Sequence, residues 1–394
     1  MASRKTTAER ELAVRVGARI RQVRLIQHVT QVKLATDIGI RAGPLSWIEK
    51  GTHLPSGRVL YRIAKQLNIR MDDLFQDNNV WDPGVSAFSD KVPVLLPPME
   101  SPADSGSVKA AHGVCHSVAE QVLALEDLCG AAKMAEIPLY LPFTPTEAGA
   151  EHLAARVRKN LGIGNVVAHD YLELFENAGL RVVFMEMPEG YETFCGYDSL
   201  NRNAFFFMNS LLKKQPERLM LRLVFELGRI FWHTRKLYGK SDAHAALADG
   251  LVLDEAGFAR RFADCFLMPT ESVRTTAWQL GLTPKSWTWD MLLRLKKRYG
   301  VSAQSFALRL HELALSKSGR QKKSSAQYLF KDEIESFYAE NGPSSEPGGN
   351  RQQLTMNGRL RDLLVQAAQK AGKAKKPVNA VKRVLRHNGV VLKE

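Results

Sequence analysis

The residues best suited to chemistry lie between Val224 and His233. A helix that carries His, Glu, two spacers and His aims two imidazoles at one Zn2+, with the intervening Glu as general base. In Phe225-Glu226-Leu227-Gly228-Arg229 the Glu is present, but Phe225 and Arg229 stand where the imidazoles would be. Phenylalanine has no lone pair to donate, and a guanidinium stays protonated at any accessible pH, so neither binds a divalent cation. His233, two turns after Glu226, is the nearby imidazole, and Asp254 and Glu255 are the next acids. These residue types predict no metal, no cofactor and no catalysis. Glu226 and Arg229 read more simply as an i,i+3 ion pair, worth a few tenths of a kcal/mol (roughly 0.3) on an exposed helix face.

The flanks give that short string a context. Asp170 to Val183 reads as a helix leading into an edge strand, and Cys195-Gly196-Tyr197 and Ala204 to Asn209 as paired strands. Arg218 to His233 reads as one long helix, and Ala259 to Ala263, running into Phe266-Leu267-Met268-Pro269, as another. From Glu147 to about Leu315 the chain resembles the ImmA/IrrE family of metallo-endopeptidase domains. The resemblance implies an α+β zincin-like fold in which residues 218–233 form the active-site helix and the following helix supplies a third, acidic ligand. Carried onto this sequence, it gives a degenerate metal site of Phe225, Glu226, Arg229, His233 and Glu255, with Glu226 vestigial.

Charge points to a different activity. Residues 1–75 hold 14 Lys/Arg against 6 Asp/Glu, and residues 351–394 hold 11 against 2, in a chain of 394 residues with net charge +14. The 275 residues between them therefore net −3, and the basic character belongs to the two ends, where a polyanion would bind. The four cysteines form no CxxC pair, the start is polar, and no apolar run nears the ~18 residues needed to span a bilayer. A cytoplasmic protein without a membrane segment is expected.

Near the amino terminus, Val16, Ile20 and Val23 recur at helical spacing within a helix from about Glu11 to Leu25. Thr30 is placed to cap a second helix, Gln31 to Ile38, packed through Val32, Leu34 and Ala35. Gly39 permits a tight turn, a third helix runs from Ala42 to Lys50, and Gly51 stops it. Pro55-Ser56 opens a fourth helix buried through Leu60, Ile63, Ala64 and Leu67, and Met71 to Phe75 closes the domain.

Residues 17–75 resemble the Cro/repressor, or XRE, class of helix-turn-helix regulators. The resemblance lays the third helix in the major groove of double-stranded DNA, usually as a dimer on two half-sites. It implies that Gln31 touches backbone or an outer base, and that Arg41, Ala42, Gly43 and Ser46 face the groove. Lys50, Arg58, Arg19, Arg21 and Arg24 are then phosphate contacts, which add affinity without sequence information. Ala42-Gly43-Pro44 departs from the polar residues common there, leaving readout to Arg41, Ser46 and apolar contact of Ala42 with a thymine methyl.

The remainder divides by composition. Residues 78–107 read as a Pro/Ser-rich linker and 108–145 as a connecting helix segment. In that helix Val114, Val118, Gln121, Leu125 and Leu128 recur at 4-3-4-3 spacing, either a dimerisation seam or a face packed on the chain's own domain. His112, Cys115, His116 and Cys129 invite a metal reading, but adjacent residues on a helix point in different directions. A second linker spans 317–350. In the basic tail, 351–394, Leu360, Leu363, Leu364 and Ala367 would form one short helix and Val378, Val381 and Leu385 another, the tail being helical or disordered.

The expected fold class is mainly α with a small β component. It comprises an all-α helix-turn-helix domain (1–77), an α+β zincin-like domain (146–316) and the basic tail. The expected function is a sequence-specific DNA-binding regulator, a homodimer, whose second domain meets a small-molecule or protein effector. Two other readings are a metal-dependent endopeptidase that cleaves a repressor, and a sequence-tolerant DNA-bridging factor.

Overall fold

The computed structural model describes residues 7–26, 29–67, 71–75, 95–96, 105–131, 143–168, 170–198, 203–234, 252–316, 328–342, 344–349, 356–371 and 376–392. Most of the first linker, the basic connector after Lys317, and Lys373 and Lys375 fall outside these residues. The chain is mainly helical with one three-stranded sheet, and it divides into two compact units whose boundary falls near residue 92.

In the first unit, α1 (Thr7–Ile26), α2 (Gln31–Asp37), α3 (Ala42–Glu49) and α4 (Gly57–Gln66) precede a 3-10 turn, Met71–Leu74. Their core is the expected apolar set: Val16, Ile20, Val23, Leu34, Ala35, Leu45, Ile48, Leu60, Ile63 and Leu67 are all buried. Val32 is the exception at 65% exposed, because Leu34 and Ala35 already define the inner face of a seven-residue helix. Thr30 accepts the Lys33 amide as its cap. Helix α1 presses so closely on α3 that a Cβ on Gly17 would lie 2.0 Å from the Ile48 carbonyl oxygen, so only glycine fits that crossing.

In the second unit, α5 (Ser105–Cys129), α6 (Glu147–Asn160) and α7 (Tyr171–Asn177) lead into strands β1 (Leu180–Met185), β2 (Thr193–Asp198) and β3 (Asn203–Asn209). The sheet order is β1-β3-β2, with β1 and β3 parallel and Val182 opposite Phe206. After a 3-10 turn come α8 (Pro216–Thr234), α9 (Glu255–Leu267), α10 (Thr270–Gln279), α11 (Trp289–Tyr299) and α12 (Ala303–Glu312). Helix α13 (Lys331–Asn341), α14 (Gly358–Ala371) and α15 (Lys376–His387) complete the unit. Every residue of β1 is buried, as expected of a strand covered on both faces.

Two segments differ from their sequence reading. The connecting helix starts at Ser105 and its described span ends at Cys129, and it packs on α14 and α15 of its own chain. Val118 and Leu125 of the 4-3-4-3 series are buried there, but Leu128 is exposed. The seam is therefore an intrachain face rather than a dimer stripe, and the ion pairs at Glu126 fix it. Glu126 is 1% exposed, pairs with Arg181 of β1 at 2.7 Å, and accepts from Arg359 of α14 at 3.1 Å. The described part of the 351–394 tail is likewise not a free basic arm. Leu360, Leu363, Leu364, Val378, Val381 and Leu385 are buried, and Val390 forms an antiparallel bridge to Met185 on the outer edge of β1. The side-chain amide of Asn357 accepts from Phe184 N–H and donates to the carbonyls of Phe184 and Val391, which pins the tail to that edge.

Candidate functional site

The first candidate surface is the outer face of α3. Leu45, Ile48 and Glu49 turn inward, so Gly43, Trp47 and Lys50, at i, i+4 and i+7, share the outward face. Arg41 is the exposed N-cap of this helix and makes no side-chain capping bond, while Ala42 and Ser46 are half-buried. Trp47 is 54% exposed and stacks on His53 at 5.8 Å between ring centroids. The sequence reading passed over Trp47 although it lies outside the Leu45/Ile48 stripe, which was the signal available. An indole offers broad apolar contact to a thymine methyl or a sugar face.

Of the cations assigned to phosphate, Arg21, Arg58 and Lys50 are exposed, and Arg19 is half-buried with a partner of its own. Arg24 is a correction. It is 7% exposed, its guanidinium donates to both oxygens of Glu49 at 2.6 and 2.8 Å and to the Val29 carbonyl at 2.9 Å, so it ties α1 to α3 and is turned away from solvent. Gln31 joins the same cluster by donating to Glu49 at 2.9 Å.

The second candidate is the centre of the other unit. Phe225, Glu226 and Arg229 lie on α8, where α9 crosses it closely: a Cβ on Gly228 would meet the Ala259 Cα at 3.0 Å. Both oxygens of Glu226 are engaged. Oε1 accepts from Thr193 Oγ1 at 2.7 Å, and Oε2 accepts from the Cys195 thiol at 2.9 Å and from Arg229 at 2.8 Å. Arg229, 1% exposed, reaches Glu255 on α9 at 2.7 Å with its Nε, and His233 Nε2 lies 3.1 Å from the same Glu255 oxygen. The guanidinium thus sits between two carboxylates, supplying in place the positive charge a cation would bring. These residues do not fit a metal: one position has no donor atom and the other is itself the cation. Asp254, the other nearby acid, is the N-cap of α9 and accepts from Gly257 N–H.

Thr193 and Cys195 were missed by the sequence reading. Their i,i+2 spacing on a strand puts both on one face, but nothing in the sequence says that this face meets Glu226. Burial, reinforced by the Glu226 charge, pushes the Cys195 thiol well above its usual range, so it remains a proton donor. Among the described residues no group of three His, Cys, Asp or Glu side chains converges on a common point. His112 packs edge-on against Phe194, and the Cys129 thiol donates to the Leu363 carbonyl.

Burial would raise the Glu255 carboxyl, but His233 and Arg229 beside it prevail and hold it at about 2. A depressed acid contributes stability that is present above its unfolded value near 4.5 and is lost as pH falls through about 2. Acid titration followed by circular dichroism is expected to show this loss between about pH 4.5 and 2, and Glu255→Gln to flatten that part of the curve. An unchanged slope in the variant would remove Glu255 from the account.

On its outward side, α8 lines a cleft of about 430 Å3 with Arg218, Leu221, Arg222 and Phe225, a stripe at i, i+3, i+4 and i+7. Arg260, Ser302, Tyr338 and Glu346 are on the other walls. Lys296, fully buried, stands 3.4 Å from Glu346, which also accepts from Tyr338.

Comparison with known proteins agrees with this division. Residues 17–80 match the helix-turn-helix domain model, and residues 175–311 match the IrrE N-terminal-like domain model. Two uncharacterized HTH-type transcriptional regulators of Archaeoglobus fulgidus are similar to the amino-terminal unit. One is 40% identical over 65 residues, 16% of this chain and 93% of the relative; the other is 32% identical over 66 residues, with the same coverage. The chain belongs to the family of helix-turn-helix transcriptional regulators, and its larger unit carries an IrrE-like domain. Among solved structures, Bacillus thuringiensis PlcR in complex with the peptide PapR7 and DNA aligns over 95% of this chain and 94% of its own at 11% identity. Its TM-score of 0.15 is too low for the two to share an overall arrangement.

Proposed function

We propose that this chain is a sequence-specific, DNA-binding transcriptional regulator acting as a homodimer, in which the peptidase-like domain holds an effector and does not cut it. The observation that carries the DNA half is the outward face of α3: Arg41, Gly43, Trp47 and Lys50 are presented on a helix whose opposite face is closed by the Arg24–Glu49 pair. Such a helix fits the major groove, with Arg41 and Trp47 reading base edges and Lys50, Arg21 and Arg58 meeting phosphates.

The non-catalytic half rests on Arg229. A general base needs a carboxylate oxygen facing water or substrate, and both oxygens of Glu226 are engaged by Arg229, Thr193 and Cys195. The cleft along Arg218, Arg222 and Phe225 is the place for a polar or anionic effector.

Selection of bound fragments from a random DNA pool tests the first half. The expected result is a palindrome with half-sites about one turn (~34 Å) apart. Trp47→Ala is expected to weaken binding to the selected sequence by about 10- to 100-fold while leaving binding to random DNA near its original level. If the pool yields no enriched sequence and binding falls steeply with salt for every DNA alike, the charge at the chain ends makes a sequence-tolerant bridging factor the better reading. Metal analysis tests the second half. Stoichiometric zinc or manganese, with peptide cleavage abolished in Glu226→Gln, would sink the non-catalytic reading in favour of an endopeptidase.

A further inference from the structure

Both outer edges of the sheet are covered by the chain itself, but not equally. On β1 the cover is the Val390 segment, held by Glu186 N–H to the Gly389 carbonyl at 2.9 Å, by Val391 N–H to the Phe184 carbonyl at 3.1 Å, and by the Asn357 amide. On β2 the cover is two residues long. Leu95 bridges Gly196 in antiparallel fashion, and Leu96 N–H donates to the Cys195 carbonyl at 2.8 Å. Leu95 is 8% exposed, and Leu96 packs against the core of the unit. Cys195 is the residue whose thiol donates to Glu226, so this extended pair lies beside the degenerate centre.

An uncovered strand edge is a row of backbone donors and acceptors that accepts any extended chain of suitable side chains. Proline cannot donate to such a ladder, and Pro93 and Pro97 flank the pair, so the ladder they allow is short. Among the described residues, one bridge and one backbone bond hold this cover, against the three hydrogen bonds at β1. We propose that the outer edge of β2 is a binding site for an extended apolar segment of a partner protein, and that Leu95-Leu96 is its occupant in cis. Backbone pairing supplies affinity, and the Leu95 and Leu96 positions supply selection for apolar side chains. A partner strand must displace an occupant tethered at an effective concentration on the order of millimolar, so the site answers only to a segment that pairs over a longer run.

The test uses the full chain and a fluorescent peptide of residues 92–99, Val-Pro-Val-Leu-Leu-Pro-Pro-Met. Leu95→Asp with Leu96→Asp in the protein should empty the edge, and the peptide should then bind about 10-fold or more tightly than it binds the unaltered protein. N-methylation of the peptide at Leu96 removes the one N–H that pairs with Cys195 and should abolish binding with every side chain kept. Equal binding to both proteins, or binding indifferent to N-methylation, overturns the proposal. Should the double variant fail to fold, hydrogen exchange on the unaltered protein decides: excess peptide should unprotect the protein's own Leu96 amide, and an amide that stays protected at saturation overturns it. The proposal goes beyond the regulator reading and fails separately from it. A peptide that binds and is recovered cut would refute the non-catalytic reading while leaving this site standing.

Discussion

Arg229→Met is expected to destabilise the larger unit by about 3–5 kcal/mol, the usual cost of removing one partner from a buried ion pair. Arg229 and Glu226 are 1% and 3% exposed at their side chains, so neither charge is offset by water. Without the guanidinium, Glu226 keeps the donors of Thr193 and Cys195 but faces no cation. Glu255, at 23% side-chain exposure, can rehydrate, so most of the loss belongs to Glu226. Arg229→Met combined with Glu226→Gln should recover most of the stability, because replacing both partners removes the uncompensated charge. Urea denaturation of the three proteins measures this. A loss below about 1 kcal/mol in the single variant, the range of exposed pairs, would mean that the pair is hydrated in solution.

Glu49→Ala is the companion experiment in the amino-terminal unit, with a similar expected loss of about 3–5 kcal/mol. It strands the buried Arg24 guanidinium and removes the acceptor of Gln31. A domain of this size has roughly 4–10 kcal/mol to lose, so the variant should be largely or partly unfolded at 37 °C. At about 4–8 °C per kcal/mol, its melting temperature should fall by about 12 °C or more. DNA affinity should fall with it, although Glu49 is turned inward, and Arg24→Met with Glu49→Met should restore both. Arg24→Ala at full stability, with binding reduced and its salt dependence shallower, would instead return Arg24 to the phosphate contacts from which its burial removed it.

These two pairs show what spacing could and could not say. The i,i+3 relation of Glu226 and Arg229 was legible, but its strength depends on burial, which α9 and β2 impose from elsewhere in the chain. Arg24 follows Arg21 by one helical turn and looks equally exposed; only the arrival of Glu49, 25 residues later, decides that it is turned inward. Thr193 and Cys195 carried no motif, and the 4-3-4-3 series fitted a dimer seam and an intrachain face equally well. Leu95-Leu96 sat in a stretch whose prolines said linker, and its pairing depends on an edge that exists only once the sheet has formed.

By itself the sequence determined the helix-turn-helix core, the cap at Thr30, the mainly helical class and the loss of both imidazoles from the α8 motif. Each follows from local periodicity or from residue chemistry at a known offset, and neither needs a distant partner. The tertiary structure alone decided which charges are buried, what covers the two sheet edges and that the described part of the tail packs on α5. Those outcomes are set by contacts between segments tens to hundreds of residues apart, and a change in burial moves an ion pair from tenths of a kcal/mol to several.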